Sequence, residues 1–200
     1  MAEPIDFYFE FASPYGYLAS TQIEAIATRL GRTVAWHPIM LGAAFKETGA
    51  KPLTQTPLKG PYLLHDVPRF ARLLGVPLTL PPVMPMNSLA ASRACVWVEE
   101  ENPAEAKRLA QALLHVHWGE GRDLSAPEAV AEVAAGPGID RGALLTAVAD
   151  QRIKDRLKEL TQAAIERGVF GSPFVFVDGE PFWGADRLPQ IEAWLSEGGW

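Results

Sequence analysis

Three short stretches of the sequence hold residue types that could do chemistry together. The first is Ser13-Pro14-Tyr15-Gly16, which follows an apolar, aromatic-rich run and opens a stretch of helical spacing. A hydroxyl at a helix start stands beside backbone N–H groups that have no partner within the helix. Such a place can hold an anion, including a thiolate brought by another molecule. The same residues also suit a plain N-cap serine with proline at the first helical position, and spacing alone leaves both readings open. The second stretch, Gly171-Ser172-Pro173, comes just before the apolar run Phe174-Val175-Phe176-Val177. A cis Ser172–Pro173 bond would present the backbone N–H and C=O of Ser172 to an extended ligand. A trans proline is also allowed at a strand start. The third stretch is Phe182-Trp183-Gly184-Ala185-Asp186-Arg187. Asp186 can cap the last helix or pair with a ligand ammonium group.

Other candidates carry less. Cys95 is the single cysteine, so neither an intrachain disulfide nor a CxxC pair exists. It sits in an apolar run and reads as a small core residue. His115 and His117 are two apart in a helical stretch, point to different sides and cannot share a metal. His37 and His65 lack an acidic or cysteine partner at ligand spacing. The sequence holds no zinc motif, no Gly-rich phosphate loop and no GxSxG elbow. Glu99-Glu100-Glu101 reads as a solvated helix end. A net charge of -6 argues against a nucleic-acid partner. No run approaches the roughly 18 apolar residues of a membrane span. The first residues are acidic and lead straight into a strand pattern rather than a signal peptide, so a cytoplasmic location is expected.

The elements that must position these residues can be read along the chain. With 200 residues, 48% apolar and 21% charged, the composition is that of a soluble globule with a core of ordinary size. Ile5 to Phe11 reads as a strand. Residues 15–30 carry helical spacing in Tyr15, Leu18, Ala19, Ile23, Ile26, Ala27 and Leu30, closed by Gly31. Thr33 to Ile39 reads as a second strand, which predicts a parallel β-α-β unit with a right-handed crossover. At the far end, Phe174–Val177 suits a buried strand. Asp178-Gly179 is a hairpin turn, Glu180–Trp183 the return strand, and 187–196 a last helix. Between the ends, 59–74, 87–101, 103–118, 126–135, 140–149 and 151–167 show helical periodicity. Asn102 with Pro103 and Glu105 starts one helix, Ser125 and Glu128 form a capping box, and Asp140 caps the next. Pro77, Pro81, Pro82 and Pro85 impose an extended loop over 76–86. The sum is an α/β chain. Residues 1–40 and 168–200 form a thioredoxin-like domain with a mixed β-sheet, and 41–167 form a large inserted all-helical domain.

In a thioredoxin-like domain, Ser13 and Gly16 occupy the two cysteine positions of the redox CxxC, so dithiol chemistry is absent here. On this fold the Ser172–Pro173 bond is expected to be cis and to face Ser13. The chain resembles the 2-hydroxychromene-2-carboxylate isomerase family, which is related to kappa-class glutathione transferases and to bacterial disulfide oxidoreductases. The resemblance covers nearly the whole chain. Phe9-Glu10-Phe11-Ala12-Ser13-Pro14-Tyr15-Gly16-Tyr17-Leu18-Ala19 is similar to that family's first strand and helix start. The run from Phe45-Lys46-Glu47-Thr48-Gly49 to Lys59-Gly60-Pro61-Tyr62 matches the next block, and Asn87-Ser88-Leu89 with Arg93 the substrate-side helix. Arg167-Gly168-Val169-Phe170-Gly171-Ser172-Pro173 and Trp183-Gly184-Ala185-Asp186-Arg187 match the C-terminal signatures.

The resemblance implies glutathione as cofactor. Ser13 would hydrogen-bond its sulfur, with Pro14 and Tyr15 in the same turn. Ser172 and Pro173 would meet the cysteinyl part, Ala185 and Asp186 the γ-glutamyl part, and Lys59 a carboxylate. Lys46, Asn87 and Arg93 would face a small aromatic carboxylate substrate. The implied reaction interconverts 2-hydroxychromene-2-carboxylate and trans-o-hydroxybenzylidenepyruvate, in naphthalene breakdown, by a homodimer. It proceeds by reversible addition of the glutathione thiolate, a borrowed nucleophile. Two departures stand out: Ala50 and Lys51 follow Thr48-Gly49 where asparagine is frequent, and Ser172 replaces a larger apolar residue. Two other functions fit the same sequence: a kappa-type transferase that conjugates electrophiles, and a non-enzymatic thioredoxin-like binding module.

Overall fold

The computed structural model describes residues 3–136 and 138–200. Four strands form one mixed sheet in the order β2-β1-β3-β4. β1 (Ile5–Phe9) runs parallel to β2 (Val34–Pro38) and antiparallel to β3 (Phe174–Val177), which pairs with β4 (Glu180–Trp183). The alternation of β1 explains its place between the others. Ile5, Phe7 and Phe9 are fully buried in the larger core cluster, while Tyr8 joins Phe174 and Phe176 in a smaller one on the other face. The β3–β4 hairpin turns on Asp178 and Gly179, both at positive φ, as a two-residue turn of this hand requires. The architecture is thus the thioredoxin-like mixed sheet with many helices between its two halves.

Ten helices complete the described fold: α1 (Pro14–Ser20), α2 (Ile23–Arg29), α3 (Leu41–Thr48), α4 (Lys59–Leu74), α5 (Leu89–Glu99), α6 (Pro103–Leu114), α7 (Pro127–Ala135), α8 (Arg141–Ala149), α9 (Gln151–Glu166) and α10 (Leu188–Glu197). Several differ from the sequence expectation for local reasons. The strand expected over 5–11 ends at Phe9, because Glu10 to Ser13 forms a tight turn in which the Ser13 N–H donates to the Glu10 carbonyl at 2.9 Å. The single helix expected over 15–30 is two. The Ser20 and Thr21 hydroxyls donate back to the carbonyls of Tyr17 and Leu18, each at 2.7 Å, and compete with the helix ladder at the break. α3 was not anticipated: it begins without a side-chain cap and includes Gly42, and its clearest mark is Gly49 at φ 71° after its end.

The expected capping box at Ser125 does not form. The Ser125 hydroxyl donates to the Asp123 carboxylate at 2.6 Å, and the cap position of α7 falls to Ala126. Asn102 and Asp140 do cap α6 and α8. The helix expected to run through residue 118 stops at Leu114 and widens into a π-helical turn over His115–Gly119. That turn lets the buried Trp118 indole donate to the Phe11 carbonyl at 2.8 Å, tying the helical region to the β1–α1 turn.

Candidate functional site

The site is built where the β1–α1 turn meets the loop before β3. Ser13 caps α1: its Oγ accepts from the Gly16 N–H at 3.1 Å and donates to the Ser172 carbonyl at 2.9 Å. The Ser172–Pro173 bond is cis. Ser172 answers with its own side chain, whose Oγ accepts from the Glu10 N–H at 2.9 Å. Ser172 is therefore bonded to the β1–α1 turn twice, through its carbonyl to Ser13 and through its side chain to Glu10. Gly16 lies against this pair. A Cβ on it would stand 2.7 Å from Ser172 Oγ and 3.3 Å from Ser13 Cβ, so only glycine leaves this bonding undisturbed.

α1 is held from two further sides. The Tyr15 hydroxyl donates to Asp66 of α4 at 2.7 Å, and Asp66 also pairs with Arg69. Burial, and then Asp66, push the Tyr15 phenol well above its ordinary range. The Tyr17 hydroxyl donates to the Pro77 carbonyl at 2.6 Å, which anchors the proline-rich loop. Asp66 and Arg69 carried no motif in the sequence; only the fold brings them to Tyr15.

Glu10 is the other residue that sequence spacing did not single out. Its carboxyl is buried, with the residue only 7% exposed, and its Oε1 has no hydrogen-bond partner. Burial pushes it up to about 7; the Ser88 hydroxyl and the N–H groups of Ala12 and Phe11 oppose that rise. A carboxylate inside the aromatic run Phe9-Glu10-Phe11 was the available signal.

The remaining predicted residues fall in two groups. Ala185 is buried and Asp186 exposed in a 3-10 turn, Ala185–Arg187, that packs against α1. Asp186 is not a cap: neither this turn nor α10 has a side-chain cap bond, and its recorded ionic partner is Arg187 at 3.5 Å. Pro14 and Pro173 are buried beside the serines. Lys59, at the start of α4, and Lys46, in the last turn of α3, are exposed. Asn87 spends its Oδ1 on the Leu89 N–H at 3.2 Å, at the start of α5. Arg93 lies deeper along α5, half-buried, with Nη1 3.4 Å from the Val148 carbonyl and Nε without a partner. Burial lowers the proton affinity of its guanidinium. Among the described residues, no hydrogen bond or ion pair ties Lys46, Lys59, Asn87 or Arg93 to the two serines.

Two cavities lie away from Ser13. One, of about 230 Å³, opens between β2, α5 and α6 and is lined by Trp36, Cys95 and Lys107. The other, of about 240 Å³, lies over the opposite sheet face beside Tyr8, His37 and Arg167. Two of its lining residues, His37 and Arg167, are bridged by Asp6 at 2.9 Å and 2.7 Å. Burial pushes the Cys95 thiol far up, which suits a core residue and not a nucleophile.

Comparison with known proteins places these features. A family model for the DSBA-like thioredoxin domain matches residues 4–196. The chain is 32% identical over 197 residues to a 2-hydroxychromene-2-carboxylate isomerase of Sphingobium xenophagum, covering 98% of this chain and 99% of that one. It is 25% identical over 205 residues to glutathione S-transferase kappa 1 of Homo sapiens, covering 96% and 91%. A solved structure of a 2-hydroxychromene-2-carboxylate isomerase superposes with a TM-score of 0.88 at 31% identity, covering 96% of this chain and 94% of that one.

Proposed function

Because the chain belongs to the DSBA-like thioredoxin domain family, and within it to the 2-hydroxychromene-2-carboxylate isomerases, we propose that it is a glutathione-dependent isomerase acting at Ser13. Its substrate pair is 2-hydroxychromene-2-carboxylate and trans-o-hydroxybenzylidenepyruvate. The observation that carries this reading is the bond from the Ser13 hydroxyl to the Ser172 carbonyl. It puts an exchangeable donor and an exchangeable acceptor side by side, in a protein with one buried cysteine and no dithiol.

The residues present fit glutathione. The Ser172 carbonyl can accept an N–H from the cysteinyl part, which frees the Ser13 hydroxyl to turn towards the sulfur. One hydrogen bond is then traded for two, and the Gly16 N–H remains bonded to Ser13 Oγ throughout. Asp186, exposed and uncommitted as a cap, is suited to pair with the γ-glutamyl ammonium, and exposed Lys59 with a carboxylate. Bound there, glutathione would supply a thiolate able to add reversibly to the substrate alkene, so that the former double bond could rotate before the thiolate is returned. Ser13 holds negative charge on that sulfur. Arg93, with no carboxylate partner among the described residues, is suited to the substrate carboxylate, and Lys46 and Asn87 are its candidate companions.

The test is turnover of 2-hydroxychromene-2-carboxylate with glutathione present in less than stoichiometric amount. Conversion to the equilibrium mixture with all glutathione recovered is expected; enzymic conversion without glutathione, or none with it, overturns the reading. A kappa-type transferase is the second reading, favoured by the match to glutathione S-transferase kappa 1, and it consumes one glutathione per product. The homodimer and the cytoplasmic location belong to the same proposal, checked by size-exclusion chromatography and cell fractionation.

A further inference from the structure

Glu10 is bonded on either side to a residue of the site. Its carbonyl accepts from the Ser13 N–H at 2.9 Å, and its N–H donates to Ser172 Oγ at 2.9 Å. Its carboxyl is nevertheless buried with Oε1 unpartnered, and none of the ion pairs among the described residues includes it. A buried carboxyl left this way is costly unless it holds its proton or the proton has a use. The groups that face it are the N–H groups of Phe11 and Ala12 from its own turn and the Ser88 hydroxyl from the start of α5. Ser172 faces its backbone from the loop before β3. None of these is charged. Ser88 makes no side-chain cap bond to α5, so its hydroxyl is not required there.

Tyr15 donates to Asp66, and His37 is paired with Asp6 across the sheet. His117 is bonded through Nδ1 to the Arg122 carbonyl and has a buried, unpartnered Nε2, but among the described residues no hydrogen bond or ion pair ties it to Ser13 or Ser172.

We propose that Glu10 is the charge-compensating residue of the Ser13 site, holding a proton whenever an anionic sulfur occupies that site and releasing it when the sulfur departs. This rests on the glutathione reading above. The exchange is balanced. The S–H bond of the incoming thiol breaks with its electron pair left on sulfur, and one O–H bond forms on the Glu10 carboxylate. Where the empty site holds an ionised Glu10, the exchange leaves the turn with one negative charge and not two. Glu10 and Ser13 are the two ends of one turn, joined by the bond from the Ser13 N–H to the Glu10 carbonyl, so like charges on them disfavour each other and the groups titrate as a pair. A carboxyl whose balance point is about 7 is able to make the exchange near neutrality, where an ordinary glutamate is already ionised and stays so. Glu10 acts here through its charge and is a positioning residue.

Proton linkage reads this directly. Glutathione binding is measured by calorimetry just above neutrality in buffers of different ionisation enthalpy, for the wild type and Glu10→Gln. The wild type is expected to release well under one proton per glutathione and Glu10→Gln about one, because the amide takes none up. The ultraviolet absorbance of the bound thiolate should also persist to lower pH in Glu10→Gln, since an ionising neighbour has been removed. Ser88→Ala is the second variant. It removes a group that favours the ionised carboxyl, and it should move the pH of half-maximal proton uptake upward while leaving the α5 cap unaltered. Equal proton release in the wild type and Glu10→Gln, with glutathione bound by both, overturns the role of Glu10 and leaves the functional reading standing. A wild-type protein that binds no glutathione overturns the functional reading and this proposal with it.

Discussion

A double-mutant cycle on Gly16 and Ser172 tests the geometry of the site without any ligand. Alanine at 16 puts a methyl 2.7 Å from Ser172 Oγ, so the hydroxyl must rotate away. Rotation breaks the bond from the Glu10 N–H, and an unsatisfied buried donor costs about 1–3 kcal/mol. Against this, alanine gains about 0.5–1 kcal/mol over glycine within a helix. Gly16→Ala should therefore destabilise the wild type by about 1 kcal/mol. In the Ser172→Ala background the hydroxyl is gone and its bond already lost. The remaining neighbours, Ser13 Cβ at 3.3 Å and the Glu10 carbonyl at 3.4 Å, are tight but not overlapping. There the same change should be neutral or stabilising, for a coupling of about 1–2 kcal/mol, within the range for residues in contact. Urea unfolding followed by tryptophan fluorescence measures all four proteins, with Trp36 and Trp118 as buried reporters. Additive effects, within about 0.5 kcal/mol, would refute the claim that Ser172 dictates glycine at 16.

Further expectations concern single residues. Ser13→Ala should slow isomerisation by roughly 10²–10³-fold, the usual loss of one donor to an anion, while costing about 1 kcal/mol of stability as a lost cap; steady-state rates and melting curves separate the two. Asp186→Ala should weaken glutathione binding by roughly 1.5–3 kcal/mol and leave the melting temperature unchanged, since Asp186 caps no helix. A fall in melting temperature with unchanged affinity would restore the capping role. Glu10 should also mark the pH dependence of stability. Its folded pKa, about 7, lies above the ordinary 4.5, so between these values the folded state retains a proton that the unfolded chain has released. Stability then falls as pH rises through that window, by about 3 kcal/mol in all. Glu10→Gln should remove that slope in urea titrations run at a series of pH values, and an unaltered slope would place the carboxyl in a more solvated setting.

How much of this was legible depends on whether the information was local. Ser13-Pro14 and Ser172-Pro173 are punctuated by proline beside apolar runs, so both could be located from the sequence, as could the Asp178-Gly179 turn. The bond between the serines spans 159 residues and follows only from the register of β1 on β3. The Tyr15–Asp66 bond spans 51 residues and had no signal at either end. Glu10 was visible as a residue yet not as a site, because strand alternation assigns a direction only while the strand lasts, and β1 ends one residue earlier. The break between α1 and α2 was hidden for a different reason: the apolar spacing continues across it, and the hydroxyls that cause it are ordinary in type.

α1 is seven residues long, yet the turn before it and its own side chains are fastened to the β3 loop, to α4, to the proline-rich loop and to Trp118. A helix so short has little stiffness of its own and takes its tilt from those four attachments. The pose of Ser13 is in that sense set by committee. Drift at Asp66, or in the backbone around Pro77, would reach the Ser13 hydroxyl as a small rotation. A laboratory search for variants of altered substrate range accordingly has useful positions in α4 and the proline-rich loop, where changes can re-aim the hydroxyl without replacing it.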